Sequence, residues 1–319
     1  MEAPSAAGTS SPPCGGCAVT LAKSADHHAE HQEPRLGWSF VTMNDRRSTP
    51  GPIPNISGRD EPRYGSRERK VELAKGFLGE GDGYDELRPG YPAEALDLIV
   101  AAVGTAARPR VVDLGAGTGK LSLALAERGC RVTALDTSET MLEVARAKAL
   151  AGQVAQRFEA CVAPAEATTL EAGSADLVTA AQAWHWFERD AVSAEVRRIL
   201  APGGVLALVW NTLDVSVPWV HRYSRIAHAG DVQREGFRPD VGEGFTFVKR
   251  HVEHWVDERP TWDFVRLATT RSYYLTAAEK TRAKVLDNLD WYLHEHLGHN
   301  PGSRVAMPYR TDLFLYRPV

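Results

Sequence analysis

Between Val111 and Trp210 the chain alternates short apolar runs with longer stretches whose apolar residues recur every three or four positions. The short runs are Val111–Leu114, Arg131–Leu135, Arg157–Val162, Asp176–Ala181 and Val205–Trp210, each bounded by turn residues or charges. Runs of this length with β-branched content predict buried strands. Leu121–Arg128, Ser138–Ala151 and Ala191–Leu200 carry the helical period between them. Upstream, Leu96, Ile99, Val100 and Val103 mark one face of a further helix, opened by Pro92 and closed by Gly104. Strands alternating with helices predict an α/β, doubly wound, Rossmann-like sheet. Beyond Trp210 the period weakens. Val217–His228 and Thr276–His296 read as helices, Phe245–Val256 is strand-like, and Tyr309–Tyr316 has strand composition.

The first 66 residues break this pattern. They hold eight of the 19 prolines and no sustained apolar period, which predicts a disordered N-terminal extension, followed by one domain over 67–319. Arg67–Phe77 could add a short helix. Cys14-x-x-Cys17, with His27, His28 and His31 behind it, is one cysteine pair at no standard finger spacing, so no metal site is expected.

Composition narrows the function by exclusion. A formal charge of −4 gives no global attraction to nucleic acid or anionic membrane. No apolar run reaches the roughly 20 residues that span a bilayer. Four cysteines make no disulfide framework, so the expected location is cytoplasmic.

The densest chemistry lies where the first strand meets its helix: Asp113-Leu-Gly115-Ala116-Gly117-Thr-Gly119-Lys120. Glycines tolerate positive φ and let a ligand approach the backbone, and the helix N-terminus behind them offers free N–H groups. A phosphate-binding P-loop needs Gly where Leu114 stands and Ser or Thr where Leu121 stands. A dinucleotide fingerprint needs Gly at the position of Lys120. Asp136 closes the second strand, where a βαβ unit places a carboxylate against ribose hydroxyls. Gln182-Ala-Trp184-His185-Trp186-Phe187 and Asn211 fall at the ends of the fourth and fifth strands, on the edge that carries the ligand crevice.

An acidic residue two places before G-x-G-x-G resembles motif I of the class I S-adenosylmethionine-dependent methyltransferases. Gln182–Phe187, the Tyr84-x-x-x-Arg88-Pro-x-Tyr-Pro segment and Leu200-x-Pro-Gly-Gly204 resemble the type 11 methyltransferase subgroup, whose members include trans-aconitate methyltransferases. The resemblance implies a seven-stranded, mostly parallel sheet with an antiparallel last strand near Leu313–Tyr316, and a helical cap insertion over roughly 217–300. It implies S-adenosyl-L-methionine as cofactor and a small-molecule methyl acceptor. Neither nucleic acid nor membrane is an expected partner, and the chain is expected as a monomer or homodimer.

The candidate cofactor residues are Asp113, Gly115, Ala116, Gly117, Gly119, Asp136, Thr137, Met141 and Gln182. Ala165 and Glu166, just past the third strand, join them through the family's adenine contact. Tyr84, Trp184 and Trp186 offer aromatic faces to a sulfonium, while Arg88 and Arg310 suit an anionic acceptor. Asn211 and Tyr309 complete the acceptor side, and His185 is the candidate general base.

Overall fold

The computed structural model describes residues 82–104, 108–229 and 236–319. The N-terminal extension, its cysteine pair and the Arg67–Phe77 helix lie outside the described residues. In chain order the elements are α1 (Asp82–Leu87), α2 (Ala93–Ala101), β1 (Arg110–Leu114), α3 (Lys120–Glu127), β2 (Arg131–Asp136), α4 (Glu139–Ala151), β3 (Phe158–Val162), β4 (Ala175–Ala181), α5 (Arg189–Ile199), β5 (Leu200–Leu213), α6 (Pro218–Ile226), β6 (Phe245–Pro260), α7 (Thr261–Thr269), α8 (Ser272–Leu275), α9 (Glu279–Trp291) and β7 (Arg304–Pro318).

The seven strands form one sheet in the order β3-β2-β1-β4-β5-β7-β6. β1 to β5 pair in parallel, and β7 runs antiparallel to both β5 and β6. The order reverses between β1 and β4, so the crevice of a doubly wound sheet opens above the C-terminal ends of these two strands.

Both faces of the sheet are covered. On one, Leu96 and Ile99 of α2 and Leu121 and Leu125 of α3 pack on Val111, Leu177, Val209 and Leu313. On the other, Val192, Val196 and Ile199 of α5 pack on Val112, Val178, Leu208 and Phe314. Alternate residues of each strand thus serve opposite cores, which explains the near-continuous apolar runs. A third core joins the cap helices to the sheet: Tyr223 of α6, Phe264 of α7 and Leu289 of α9 meet Leu213, Met307 and Tyr309.

The structure corrects several boundaries. β5 continues past Asn211 to Leu213, because β7 pairs with it as far as Tyr309 opposite Leu213. β7 begins at Arg304, well before Leu313. The expected single helical insertion is divided, since β6 occupies Phe245–Pro260 between α6 and α7. The strand-like reading of Phe245–Val256 holds and extends to Pro260, past the charges at Asp257 and Arg259. Among the described residues β6 is an edge strand paired with β7, so charge along it is tolerated and discourages pairing with another chain.

Candidate active site

The glycine turn is built as its sequence demands. Gly115, Gly117 and Gly119 all have positive φ, at +65°, +56° and +77°. The Ala116 N–H donates to the Leu135 carbonyl at 2.9 Å, lashing the turn to β2. A Cβ on Gly115 would stand 2.6 Å from Ala183 Cβ, whereas one on Gly117 would meet only Met141 Sδ at 3.6 Å. The turn is therefore packed on one side and open at its middle. Gly115→Ala adds a left-handed penalty of about 1–2 kcal/mol to an overpacking cost of about 1–3 kcal/mol. Urea unfolding should show the sum, roughly 2–5 kcal/mol; stability equal to the parent would disprove the close packing.

Asp113 has a different place from the one expected. It is buried, and its carboxylate accepts from Ser122 Oγ at 2.5 Å and Thr179 Oγ1 at 2.7 Å. Burial pushes its pKa up to about 6 against the opposing effect of the two hydroxyls. The side chain braces β1, α3 and β4 from within and does not reach the crevice.

Asp136 does face the site. Half-buried at the end of β2, it accepts from the Gly117 N–H at 2.8 Å and the Ser138 N–H at 2.9 Å. A carboxylate has about four lone-pair sites, so two remain for a pair of vicinal hydroxyls. Thr137 beside it is exposed and Met141 is buried. The next helix is capped by Ser138, which accepts from the Met141 N–H, and Asp136 holds that cap's backbone through the Ser138 N–H.

A charged knot that the sequence did not reveal secures the other flank of the turn. Asp85 accepts from Thr118 Oγ1 at 2.5 Å and from Lys148 Nζ at 2.9 Å, with Lys120 at 3.5 Å. Burial alone would raise the Asp85 carboxyl, but Thr118 and the two ammonium groups outweigh it and hold the pKa below the usual range. Lys120, which displaces the dinucleotide glycine, is thus occupied in fixing α1 to the turn.

Across the crevice, Gln182 takes a left-handed backbone (φ +58°) and its Nε2 donates to the Asn211 carbonyl at 2.6 Å. Asn211 is buried; its amide donates to the Gly90 carbonyl at 2.7 Å and accepts from Thr311 Oγ1 at 2.6 Å. It fastens the Arg88–Pro92 loop and shows no polar group to an acceptor. Trp184 is also buried, with its indole N–H donating to the Asp240 carbonyl at 3.0 Å. Of the expected aromatic wall, His185 and Trp186 remain half-exposed, their rings 4.9 Å apart. Ala165 is buried, and Glu166 accepts from the Glu188 N–H at 2.8 Å, supporting the start of α5. The side chain of Tyr84 lies outside the described residues.

The acceptor end differs most from expectation. Arg310 donates to the fully buried Asp312 at 2.7 Å, on the strand face opposite Tyr309. Arg271 is buried, and Arg88 donates to the carbonyl of the preceding Thr270 at 3.1 Å. Both guanidinium groups, with that of Arg259, act electrostatically on Tyr309, whose phenol is buried and stacked on Trp255 at 5.2 Å. Burial pushes the Tyr309 pKa up to about 12, opposed by the three arginines and reinforced by Asp257. Arg271 stands in an aperiodic stretch after α7, where only the resemblance of Arg271-Ser-Tyr-Tyr274 to a recurring segment of the type 11 subgroup singles it out.

Known proteins agree with this geometry. A methyltransferase domain model matches residues 112–208. An uncharacterized methyltransferase of Mycobacterium tuberculosis is 41% identical over 241 residues, 75% of this chain and 94% of the relative. The chain belongs to the class I S-adenosylmethionine-dependent methyltransferases.

A solved structure from Anaeromyxobacter dehalogenans, assigned as a type II methyltransferase, superposes with a TM-score of 0.53 at 29% identity, covering 72% of this chain and 97% of that one. A malonyl-[acyl-carrier protein] O-methyltransferase of Enterobacter lignolyticus is 39% identical over 120 residues, 37% of this chain and 45% of that protein. Among the described residues of this methyltransferase, no helix is long and apolar enough to cross a membrane. The family's cofactor also fits the residues present. The turn is open at Gly117, and Asp136 has two lone-pair sites in reserve beside it.

Proposed function

We propose that this methyltransferase alkylates a carboxylate oxygen of a small organic acid. The observation that carries the reading is that the Arg88 and Arg271 guanidinium groups both act on Tyr309. Tyr309 pairs with Leu213 at the C-terminal end of β5, on the crevice side of the sheet. Arg259, the third arginine acting there, is held by Asp257 at 2.6 Å and by the Glu86 and Leu87 carbonyls, so the planar forks that would meet an acceptor carboxylate bidentately are those of Arg88 and Arg271. The partial relative named as an O-methyltransferase supports oxygen as the receiving atom.

On the cofactor side, Asp136 would hold the ribose hydroxyls, and the Gly115–Gly119 backbone would face the amino-acid end of the molecule. When bound, S-adenosylmethionine supplies an electrophilic methyl group on a sulfonium. The chain's own task is alignment, which can account for ~7–11 kcal/mol of a barrier. His185 and Trp186 line the path between the two halves. A carboxylate arrives ionised and needs no base, so His185 orients the acceptor and takes up no proton from it.

Steady-state kinetics separate the alternatives. Arg271→Ala should raise the acceptor KM at least about tenfold and leave S-adenosylhomocysteine affinity unchanged, since the loss of a charge-assisted bond costs ~1.5–3 kcal/mol. His185→Ala should lower kcat less than about tenfold. A hydroxyl acceptor would instead show the ~10²–10⁴-fold loss of a general base, with a pH profile that moves with the substitution.

A further inference from the structure

We propose that Glu94, His251 and Glu253 form a binding site for a first-row divalent cation such as zinc, joining α2 to β6. His251 and Glu253 stand two residues apart on β6, opposite Leu313 and Thr311 of β7, and so project from the same face of the strand. That face meets the first turn of α2, which brings Glu94. The three ligand atoms lie within 4.8 Å of one another, and His251 Nε2 is 3.8 Å from Glu94 Oε1 and 3.8 Å from Glu253 Oε2.

These spacings suit a shared ion better than a hydrogen bond. A direct N–H···O bond closes to about 2.7–3.2 Å. Two donors bound tetrahedrally to one zinc, at about 2.0–2.2 Å each, sit roughly 3.4 Å apart, so the two His251 pairs need a few tenths of an ångström of adjustment and the Glu94–Glu253 pair closes with a larger movement of Glu94. His251 Nε2 is shut off from solvent and has no hydrogen-bond partner among the described residues. A buried polar atom of this kind calls for a ligand. Glu94 is largely exposed and can swing inward, and water can fill the remaining coordination positions.

Charge and chemistry agree. Glu253 also accepts from the Ala95 N–H at 3.2 Å, and the positive end of α2 opposes a cation there. Two carboxylates offset that end and leave a negative surplus. One imidazole with two carboxylates and no thiolate is a hard-to-borderline set, suited to zinc, cobalt or manganese. The ion would pin α2 to the edge strand just beyond the Arg88–Pro92 loop that Asn211 fastens from the other side.

The test uses the full chain, stripped with chelator and then titrated with zinc in a calorimeter and with cobalt under visible light. The parent should bind one more ion than Glu94→Gln or His251→Gln. The cobalt lost in the variants should lack a sulfur charge-transfer band, which separates this site from Cys14 and Cys17. A variant that retains residual binding should be weakened by more than the ~10–100-fold typical of losing an outer partner. Glu94 is a surface residue, so its substitution keeps the test valid if His251→Gln fails to fold. Equal stoichiometry and affinity in the parent and Glu94→Gln would overturn the proposal.

Discussion

Asp312→Ala is expected to cost this protein about 3 kcal/mol or more of stability, the loss typical of breaking a buried ion pair by removing one partner. Asp312 is fully buried on β7 and accepts from Arg250 at 2.5 and 3.0 Å and from Arg310 at 2.7 Å. Removing it leaves two guanidinium groups facing each other with their shared anion gone. Both arginines retain some exposure, which lets water relieve part of the penalty and places the effect at the lower end of the ~3–5 kcal/mol range. β7 is the strand that joins β6 to the rest of the sheet, so the damage falls on the fold's edge and cap. Denaturant unfolding of the purified variant measures it. A loss below about 1 kcal/mol would show that the pair is solvated and that Arg310 is available for a ligand.

Asp136→Ala should weaken S-adenosylhomocysteine binding by roughly 150-fold, about 3 kcal/mol, and should also cost the folded state the two carboxylate bonds to the Gly117 and Ser138 N–H groups. The carboxylate orders the Gly117 and Ser138 N–H groups and keeps two lone-pair sites for the ribose. Each charge-assisted bond is worth ~1.5–3 kcal/mol, and at least one to the ligand is lost along with the ordering of the turn. Asp136→Asn retains one carbonyl oxygen and should fall between variant and parent. Calorimetric affinity identical to the parent's in Asp136→Ala would remove this residue from the cofactor site.

The sheet was readable from sequence because both its faces are buried. Val111–Leu114, Asp176–Ala181 and Val205–Trp210 had to be almost wholly apolar, and the helices between them had to show a period. β6 gave a weaker signal, strand-like only over Phe245–Val256, since an edge strand gains from charge and Arg250, Glu253 and Arg259 supply it. The places of Asp136 and the three glycines were legible because they are local: strand end, tight turn, helix start. Asp113, Asn211 and Trp184 were sited correctly along the chain, yet each side chain is spent inside the protein. Their partners, Thr179, Gly90 and Asp240, are 66, 121 and 56 residues away. No local pattern announces such pairs. Arg310 and Arg271 make the same point: period-two alternation assigns Arg310 to one strand face, but only the buried Asp312 shows which face that is. Arg271 comes to act on Tyr309 through the fold that follows α7, which no spacing in the sequence encodes.

The central claim is methyl transfer to the oxygen of a small organic acid, and the direct measurement supplies methyl-labelled S-adenosylmethionine with a panel of mono-, di- and tricarboxylic acids. Label should move to a low-mass product 14 Da heavier than one of the acids and be released as methanol by mild alkali, as an ester requires. Label found only on protein or nucleic acid, or on an alkali-stable product, would contradict the account.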